Sequence, residues 1–357
     1  MNEKKVKLFQ EKLLNWYDIH ARDLPWRAKK GEISNPYHVW LSEIMLQQTT
    51  IATVKDYFLK FINNWPTLTC FSQASEDEVL TAWAGLGYYS RARNLKKTAN
   101  ILAHEYGHII PDSYEELIKL PGIGDYTASA IRAIAYNKDA VVMDGNVERV
   151  VSRIFMIEDK LPKAKPAYKE KTTLLSCEPY GRYGDFAQAM MDLGSTICTV
   201  TSPKCSLCPV SSLCQAHKKG DTDSYPRKEI KKKKTKRYTN AFFIQNEDGQ
   251  FFIRKRPEKG VLANMYEIPS SSWIEKKNDN QLDVEIPFLT KTLSWKKKKG
   301  VVKHVFTHFE LFVTVFISSE FVSKDSFEQE GVFVSEDILG EYALPTLMKK
   351  IISHAQM

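Results

Sequence analysis

The sequence predicts a multidomain chain: an all-α N-terminal domain followed by a smaller α+β domain. Three observations carry this. The chain has 357 residues, more than one ordinary domain holds. Helical spacing of apolar residues dominates from Met1 to about His217. The composition then shifts, through a lysine-rich stretch, to short strand-like runs. The expected boundaries are 1–217 for the helical domain, 218–238 for a basic linker and 239–357 for the second domain.

In chain order, Val6, Phe9, Leu13 and Trp16 recur at helical spacing and open the first domain. Further helices are expected around Glu43–Phe61, Glu76–Trp83, Ala92–Tyr106, Tyr114–Leu120, Tyr126–Tyr136 and Phe186–Leu193, with Gly- or Pro-containing breaks between them. A region of this size can form two helical lobes with a cleft between them. The run Lys231–Lys234, poor in apolar neighbours, reads as linker. Beyond it, Asn240–Asn246, Gln250–Arg254, Val301–Phe306 and Leu311–Ser318 read as strands, with Glu247-Asp248-Gly249 as a hairpin turn. Ser335–Leu339 and Thr346–Ile352 read as closing helices.

Composition narrows the function classes. Hydrophobic residues make up 43%, which excludes a mainly disordered chain. A net charge of +8 suits a polyanionic partner, because binding phosphates releases condensed counterions. The start, MNEKKVKLFQEKLLNWY, lacks a signal-peptide run and reads as an amphipathic helix. No stretch approaches the ~18 apolar residues of a membrane span. No membrane partner is expected, and the expected place is the cytoplasm, at the nucleoid. Six cysteines in a chain this long do not suggest a secreted disulfide scaffold. Cys70 and Cys177 stand apart and read as reduced thiols.

Two motifs carry chemistry. Leu120-Pro121-Gly122-Ile123-Gly124 lies between helical segments. Its two glycines permit a tight turn with uncovered backbone N–H groups, an anion site at the start of the next helix. A DNA phosphate fits such a site without sequence readout. Taken alone, the motif reads equally as a plain interhelical turn. Second, Cys198, Cys205, Cys208 and Cys214 follow C-x6-C-x2-C-x5-C. Four thiols in one short loop read as a metal centre, and the spacing leaves zinc and iron–sulfur both open.

The hairpin continues as Asp125-Tyr126-Thr127-Ala128, and Val142-Met143-Asp144-Gly145-Asn146-Val147-Glu148-Arg149-Val150 follows. With these residues the chain resembles the helix–hairpin–helix DNA glycosylases. The resemblance implies a helical glycosylase domain in which Gly122 and Gly124 bind backbone phosphate. It places Asp144 against the sugar of an extruded nucleotide, with Asn146 beside it to position water or sugar. Breaking an N-glycosidic bond builds positive charge on the sugar, which a fixed carboxylate stabilises. The base must also leave the stack, since the bond is shielded inside a duplex. The cysteine spacing is similar to the 4Fe–4S loop (198–214) of the endonuclease III and MutY branch, which implies a 4Fe–4S cluster as cofactor. In that superfamily's lyase branch a lysine stands where this chain has Tyr126, so strong lyase activity is not expected.

Arg22-Asp23-Leu24-Pro25-Trp26-Arg27, Ser42-Glu43-Ile44-Met45-Leu46-Gln47-Gln48-Thr49 and Gly85-Leu86-Gly87-Tyr88-Tyr89-Ser90-Arg91-Ala92 resemble the MutY family of adenine glycosylases. The resemblance implies that Glu43 protonates a ring nitrogen of adenine, a poor leaving group while neutral. Burial among Ile44, Met45 and Leu46 would favour such an acid. Tyr126 is implied as a helper near that acid. Gln48 and Tyr88 are implied as wedges in the base stack, with Thr49 and Leu86 as further DNA contacts. Arg22, Trp26, Arg27 and Gln188 map to the adenine pocket.

The same resemblance implies a Nudix-like (MutT-like) C-terminal domain that senses 8-oxoguanine through Phe306-Thr307-His308, where the family has Phe-Ser-His. Thr307 keeps the hydroxyl. No Nudix box is present, so nucleotide pyrophosphatase activity is not expected. The implied partner is double-stranded DNA holding adenine opposite 8-oxoguanine or guanine, engaged by a monomer. The rivals are an endonuclease III-like lyase and a non-catalytic iron–sulfur DNA-binding protein; the second would need neither Glu43 nor Asp144.

Overall fold

The computed structural model describes residues 1–29, 31–229, 233–275, 293–322 and 331–357; Lys231 and Lys232 of the lysine run fall outside them. The chain divides into two compact units: Met1–Gln73 with Asn94–Lys231, and Ala74–Arg93 with Lys232–Met357. The segment Ala74–Arg93, read from sequence as part of the helical domain, therefore belongs with the C-terminal unit.

The first unit opens with α1 (Glu3–His20), α2 (Pro36–Leu46), α3 (Ile51–Asn64) and α4 (Leu68–Gln73). Their starts follow local chemistry. Asn2 caps α1 by accepting from the Lys5 N–H, and Asn35 caps α2 ahead of Pro36. The segment expected as one helix, Glu43–Phe61, is two. Gln48 takes a left-handed φ of 59°, and Thr50 then caps α3 through the Thr53 N–H.

In the other unit, α5 (Glu76–Trp83) starts from a reciprocal Ser75–Glu78 capping box. After it, α6 (Ser90–Glu105) crosses the division between the units at Arg93. The first unit resumes with α7 (Tyr114–Leu117), then the hairpin, then α8 (Asp125–Ala130), which runs on into a π-helical turn at Ile131–Ala135. It ends with α9 (Gly145–Phe155), α10 (Lys165–Ser176), α11 (Tyr183–Thr196) and α12 (Gln215–Lys218). The sequence reading singled out neither α9 nor α10. In α9 the apolar stripe Val147, Val150, Val151 and Ile154 is interleaved with buried Arg149 and Arg153, which blurs its period. The centre of the unit is α11, buried from Phe186 to Gly194 and packed on α1 and α9. Gly194 permits that approach: a Cβ there would lie 2.5 Å from the Asn146 Cβ.

The second unit holds β1 (Thr235–Phe243), β2 (Phe251–Lys255), β3 (Tyr266–Glu267), β4 (Trp295–Lys297), β5 (Val302–Val305), β6 (Phe309–Ser318), β7 (Gly331–Val334) and α13 (Thr346–Gln356). In one sheet β1 runs parallel to β6, while β4 and β5 pair antiparallel with β6. The other sheet has the order β3-β2-β7, all antiparallel. Glu247–Gly249 does form a tight turn, with Gly249 at φ 78°. The strands it joins enter different sheets and share only the bridge Gln245–Phe251. Ser335–Leu339 is a turn that leads into a single 3-10 turn at Leu339–Glu341 rather than an α-helix, because so few residues cannot nucleate one. On α13, Leu347, Met348, Ile351 and Ile352 join Phe243, Leu311, Val313 and Val315 in one core. Among the described residues no helix is long and apolar enough to cross a membrane.

Candidate active site

Glu43 sits in the last turns of α2, where every residue from Val39 to Met45 is buried. The glutamate is only 6% exposed, and its Oε2 has no hydrogen-bond partner among the described residues. Burial pushes its carboxyl from the ordinary 4.5 up to about 7; hydrogen bonding by Tyr126 and the charge of Arg27 work against the rise, and Asp144 adds to it. Tyr126 enters from the first turn of α8, its hydroxyl 3.6 Å from the Met191 sulfur. Burial, reinforced by the Glu43 and Asp144 carboxyls, holds the Tyr126 phenol well above its usual range, so it stays protonated.

Asp144 caps α9. Its Oδ1 accepts from the Asn146 and Val147 N–H groups at 2.9 and 2.7 Å, and its Oδ2 from the Asn146 amide at 2.7 Å. The positive end of α9 therefore faces a fixed carboxylate. Asn146 is itself braced: its side-chain oxygen accepts from Arg149 Nη2 at 2.9 Å, while Arg149 Nε donates to the Cys198 carbonyl at 2.7 Å. The first unit thus brings Glu43, Tyr126, Asp144 and Asn146 into one electrostatically coupled group.

Arg22 and Arg27 meet a partner that sequence reasoning missed. Asp192, fully buried on α11, accepts from Arg27 at 2.8 and 2.7 Å and from the Arg22 side chain and backbone at 2.7 and 3.0 Å. Burial alone would raise the Asp192 carboxyl; the hydrogen bonds and charges of the two arginines outweigh it and hold it below its ordinary value. The signal was a lone acid inside the apolar run Ala189–Leu193. Trp26 is buried edge-on to Phe58, ring centres 5.5 Å apart. Gln188 is buried too, and its amide donates to the Gly184 carbonyl of its own helix at 3.3 Å.

The hairpin keeps its backbone open. Gly122 and Gly124 are exposed while Ile123 is buried as the anchor. Gly122 has φ 81°, and a Cβ there would meet the Asn94 Cβ at 2.9 Å, so only glycine fits. Nearby in sequence to Glu43, Gln48 is exposed and Thr49 half-buried.

The second unit carries the remaining residues. Tyr88 is 44% exposed on a left-handed turn with φ 49°, whereas the Leu86 side chain is buried. Behind the turn, Arg91 donates to the Leu86 and Gly87 carbonyls at 3.3 and 3.0 Å. Thr307 Oγ1 donates to the Tyr88 hydroxyl at 3.0 Å, and His308 is exposed. A cavity of about 310 Å³ lies here, lined by Tyr88, Arg93, His304, Phe306, Thr307 and Leu347 among others.

Cys198, Cys205, Cys208 and Cys214 line a single cavity whose wall includes Ile154, Leu193, Ile197 and Val210. Arg153 spans it: Nη1 donates to Cys198 Sγ at 3.3 Å and to the Thr199 carbonyl at 2.7 Å, and the Cys214 thiol donates to the Arg153 carbonyl at 3.4 Å. Burial pushes the Cys208 thiol up to about 12 and raises Cys205 and Cys214 as well, with the other cysteines adding to the rise. Among the described residues no three such side chains converge closely enough to hold a single metal ion.

Residues 41–176 match the HhH-GPD superfamily of base excision DNA repair proteins, and residues 240–354 match the NUDIX domain. An adenine DNA glycosylase of Buchnera aphidicola subsp. Baizongia pistaciae is 34% identical over 358 residues, spanning 97% of this chain and 96% of that protein. The adenine DNA glycosylase of Homo sapiens is 34% identical over 378 residues, spanning 87% of this chain and 67% of that protein. Among solved structures, a thermostable thymine-DNA glycosylase superposes with a TM-score of 0.53 at 30% identity, covering 60% of this chain and 98% of that one. A non-covalent endonuclease III–DNA complex, at 22% identity and TM-score 0.50, covers 62% of this chain and 98% of that one and shares the fold. With full-length relatives of this kind and both domains accounted for, the chain belongs to the adenine DNA glycosylase family.

Proposed function

We propose that this chain hydrolyses the N-glycosidic bond of adenine in duplex DNA where the base stands opposite 8-oxoguanine or guanine. The observation that carries this is the buried Glu43, whose carboxyl is raised to about 7 and so keeps a substantial protonated fraction near neutrality, beside a carboxylate fixed at the start of α9. A protonated glutamate in a dry wall can give its proton to a ring nitrogen of an extruded adenine, which makes the base a better leaving group. Asp144 then stabilises the positive charge that grows on the sugar, and Asn146 keeps its orientation. Tyr126 supplies no amine, so a Schiff-base route through that residue is closed. Gly122 and Gly124 offer the phosphate their exposed backbone, Gln48 and Tyr88 act as wedges with Thr49 alongside, and Thr307 and His308 face the opposite base.

The four cysteines fit a 4Fe–4S cluster. They line one cavity, and buried thiols that resist ionisation need a strongly positive centre to become thiolates. Arg153 of α9 bonds to the loop 198–214, while Cys198, Cys205, Cys208 and Cys214 would hold such a cluster, which would supply that positive charge. Hydrolysis is redox-neutral, so its part is structural. The proposed setting is a monomer at the nucleoid of the cytoplasm, where the net charge of +8 favours DNA encounter.

The deciding assay incubates the protein with duplexes holding adenine opposite 8-oxoguanine, adenine opposite guanine, or thymine glycol, followed by alkali. Cleavage at adenine opposite 8-oxoguanine is expected. An intact 8-oxoguanine duplex, or cleavage only at thymine glycol, refutes the reading.

A further inference from the structure

Asp192 has no part in the chemistry above, yet it is a wholly enclosed carboxylate. A buried charge is tolerated only when well paired. Asp192 holds Arg27 by two parallel N–H donors, the strongest geometry available to a guanidinium, and Arg22 by two more bonds. The Arg27 side chain is itself only 9% exposed, so it has little solvent to turn to. Its positive charge reaches Glu43.

Glu43 is faced by Tyr126 from α8, by Asp144 from the start of α9 and by Arg27 from the segment after α1. Asp144 has the wrong sign to draw the proton off Glu43; Tyr126 lowers the carboxyl by its hydrogen bond alone, and Arg27 is the one of these three that lowers it by charge. Beside the ion pair stands the buried Tyr17 phenol, which feels both Arg27 and Asp192, and Asp185 and Arg182 as well. A guanidinium released from Asp192 would keep its charge in the field of Glu43 with no carboxylate to offset it, while Glu43 Oε2 is buried without a partner among the described residues. That uncompensated charge would favour Glu43 as a carboxylate, which cannot donate a proton.

We infer that Asp192 is a positioning residue: by keeping Arg27 committed to itself, it leaves Glu43 free to carry the proton that excision requires. The inference rests on the reading of Glu43 as the acid. It adds that the acid's protonation is set from α11, through Arg27.

The test compares Asp192→Asn, Asp192→Glu and the double variant Asp192→Asn with Arg27→Gln. The Glu43 carboxyl carbon is titrated by NMR in the free protein, its signal assigned by its loss in Glu43→Gln. The pH profile of adenine excision is measured in parallel. In Asp192→Asn the Glu43 midpoint should fall by about one pH unit or more, and excision at neutral pH by about tenfold. Asp192→Glu should keep the midpoint near that of the unaltered protein. The double variant, which has neither charge, should return it there. A folded Asp192→Asn protein with an unmoved midpoint overturns the inference. So does a double variant whose midpoint falls as far as the single one's. If Asp192→Asn does not fold, Arg27→Lys decides: an ammonium cannot make the two parallel bonds to Asp192, so the Glu43 midpoint should fall, and an unmoved midpoint overturns the inference. The titration needs no DNA. Failure to excise adenine therefore sinks the functional reading, while an unmoved midpoint sinks this one.

Discussion

Arg149 Nη2 donates to the Asn146 side-chain oxygen at 2.9 Å, and Asn146 in turn donates to Asp144 Oδ2 at 2.7 Å. The carboxylate is thus aimed by a side chain that is itself aimed. A helix N-cap alone would fix only Oδ1. Replacing Arg149 by Met should let Asn146 turn and reduce single-turnover excision about 10- to 100-fold, as removal of an outer hydrogen-bond partner commonly does. Duplex affinity should change little, since the hairpin is untouched. Asn146→Leu should show the same split between rate and affinity. Rates equal to that of the unaltered protein in both variants would show that the N-cap bonds suffice.

The carboxyl of Glu43 sets the expected pH dependence. Its value in the folded chain is raised from 4.5 to about 7, so the proton-donating form prevails below about 7 and is lost above it. The profile of kcat/KM, which reports the free enzyme, should fall on the alkaline side with a midpoint near 7. Stability carries the same sign. The folded state holds a proton that the unfolded chain releases between 4.5 and about 7, so stability falls as pH rises through that window. Glu43→Gln should abolish excision and remove this contribution to the pH dependence of melting. A rate that stays flat from pH 6 to 8 in the unaltered protein, a span of about one unit either side of that midpoint, would contradict the assignment.

How much of this was legible depended on whether the signal was local. Glu76–Trp83 can be read to the residue because Ser75 and Glu78 cap it from within four residues. The two-domain class follows from the change of period after about His217, and the cysteine loop from spacing alone. What the sequence hid was long-range. Nothing near Gln48 marks its left-handed turn, so α2 and α3 read as one helix. Nothing near Phe243 says that its strand will pair parallel with β6, some 70 residues on. Asp192 is invisible without the arginines that meet it from 165 and 170 residues away. The same is true of Arg153, whose partners Cys198 and Thr222 lie in segments with no helical period of their own.

The cysteine cavity yields a prediction about folding. Its wall is apolar, and Arg153 is its buried cation. Cys208→Ser should prevent cluster assembly and abolish the brown colour and its visible charge-transfer band. It should also lower the melting temperature, because the loop 198–214 then loses the centre that its four thiols would share. Since α9 begins at Asp144, excision should fall as well, even though no cysteine touches the reacting atoms. A colourless, zinc-loaded protein with full activity would overturn the cofactor assignment.

Gly194 offers the sharpest steric test. A Cβ at that position would lie 2.5 Å from the Asn146 Cβ, closer than real structures show, and 3.0 Å from its Cα, which is already tight. The opposing atoms belong to backbone and to a side-chain root, so they cannot swing aside. Something larger must move: α11 away from α9, or the first turn of α9 away from its cap. Overpacking of this kind costs about 1–3 kcal/mol. In Gly194→Ala the loss should appear as a lowered melting temperature and, because Asn146 is the residue pushed, as a drop in excision beyond what partial unfolding explains. Gly107→Ala is the control: its Cβ would meet nothing within 4 Å, although its φ of +57° strains the substitution too. It should therefore cost some stability but leave the rate per folded molecule unchanged. If both variants lost rate in proportion to stability alone, Gly194 would be a packing residue and no more.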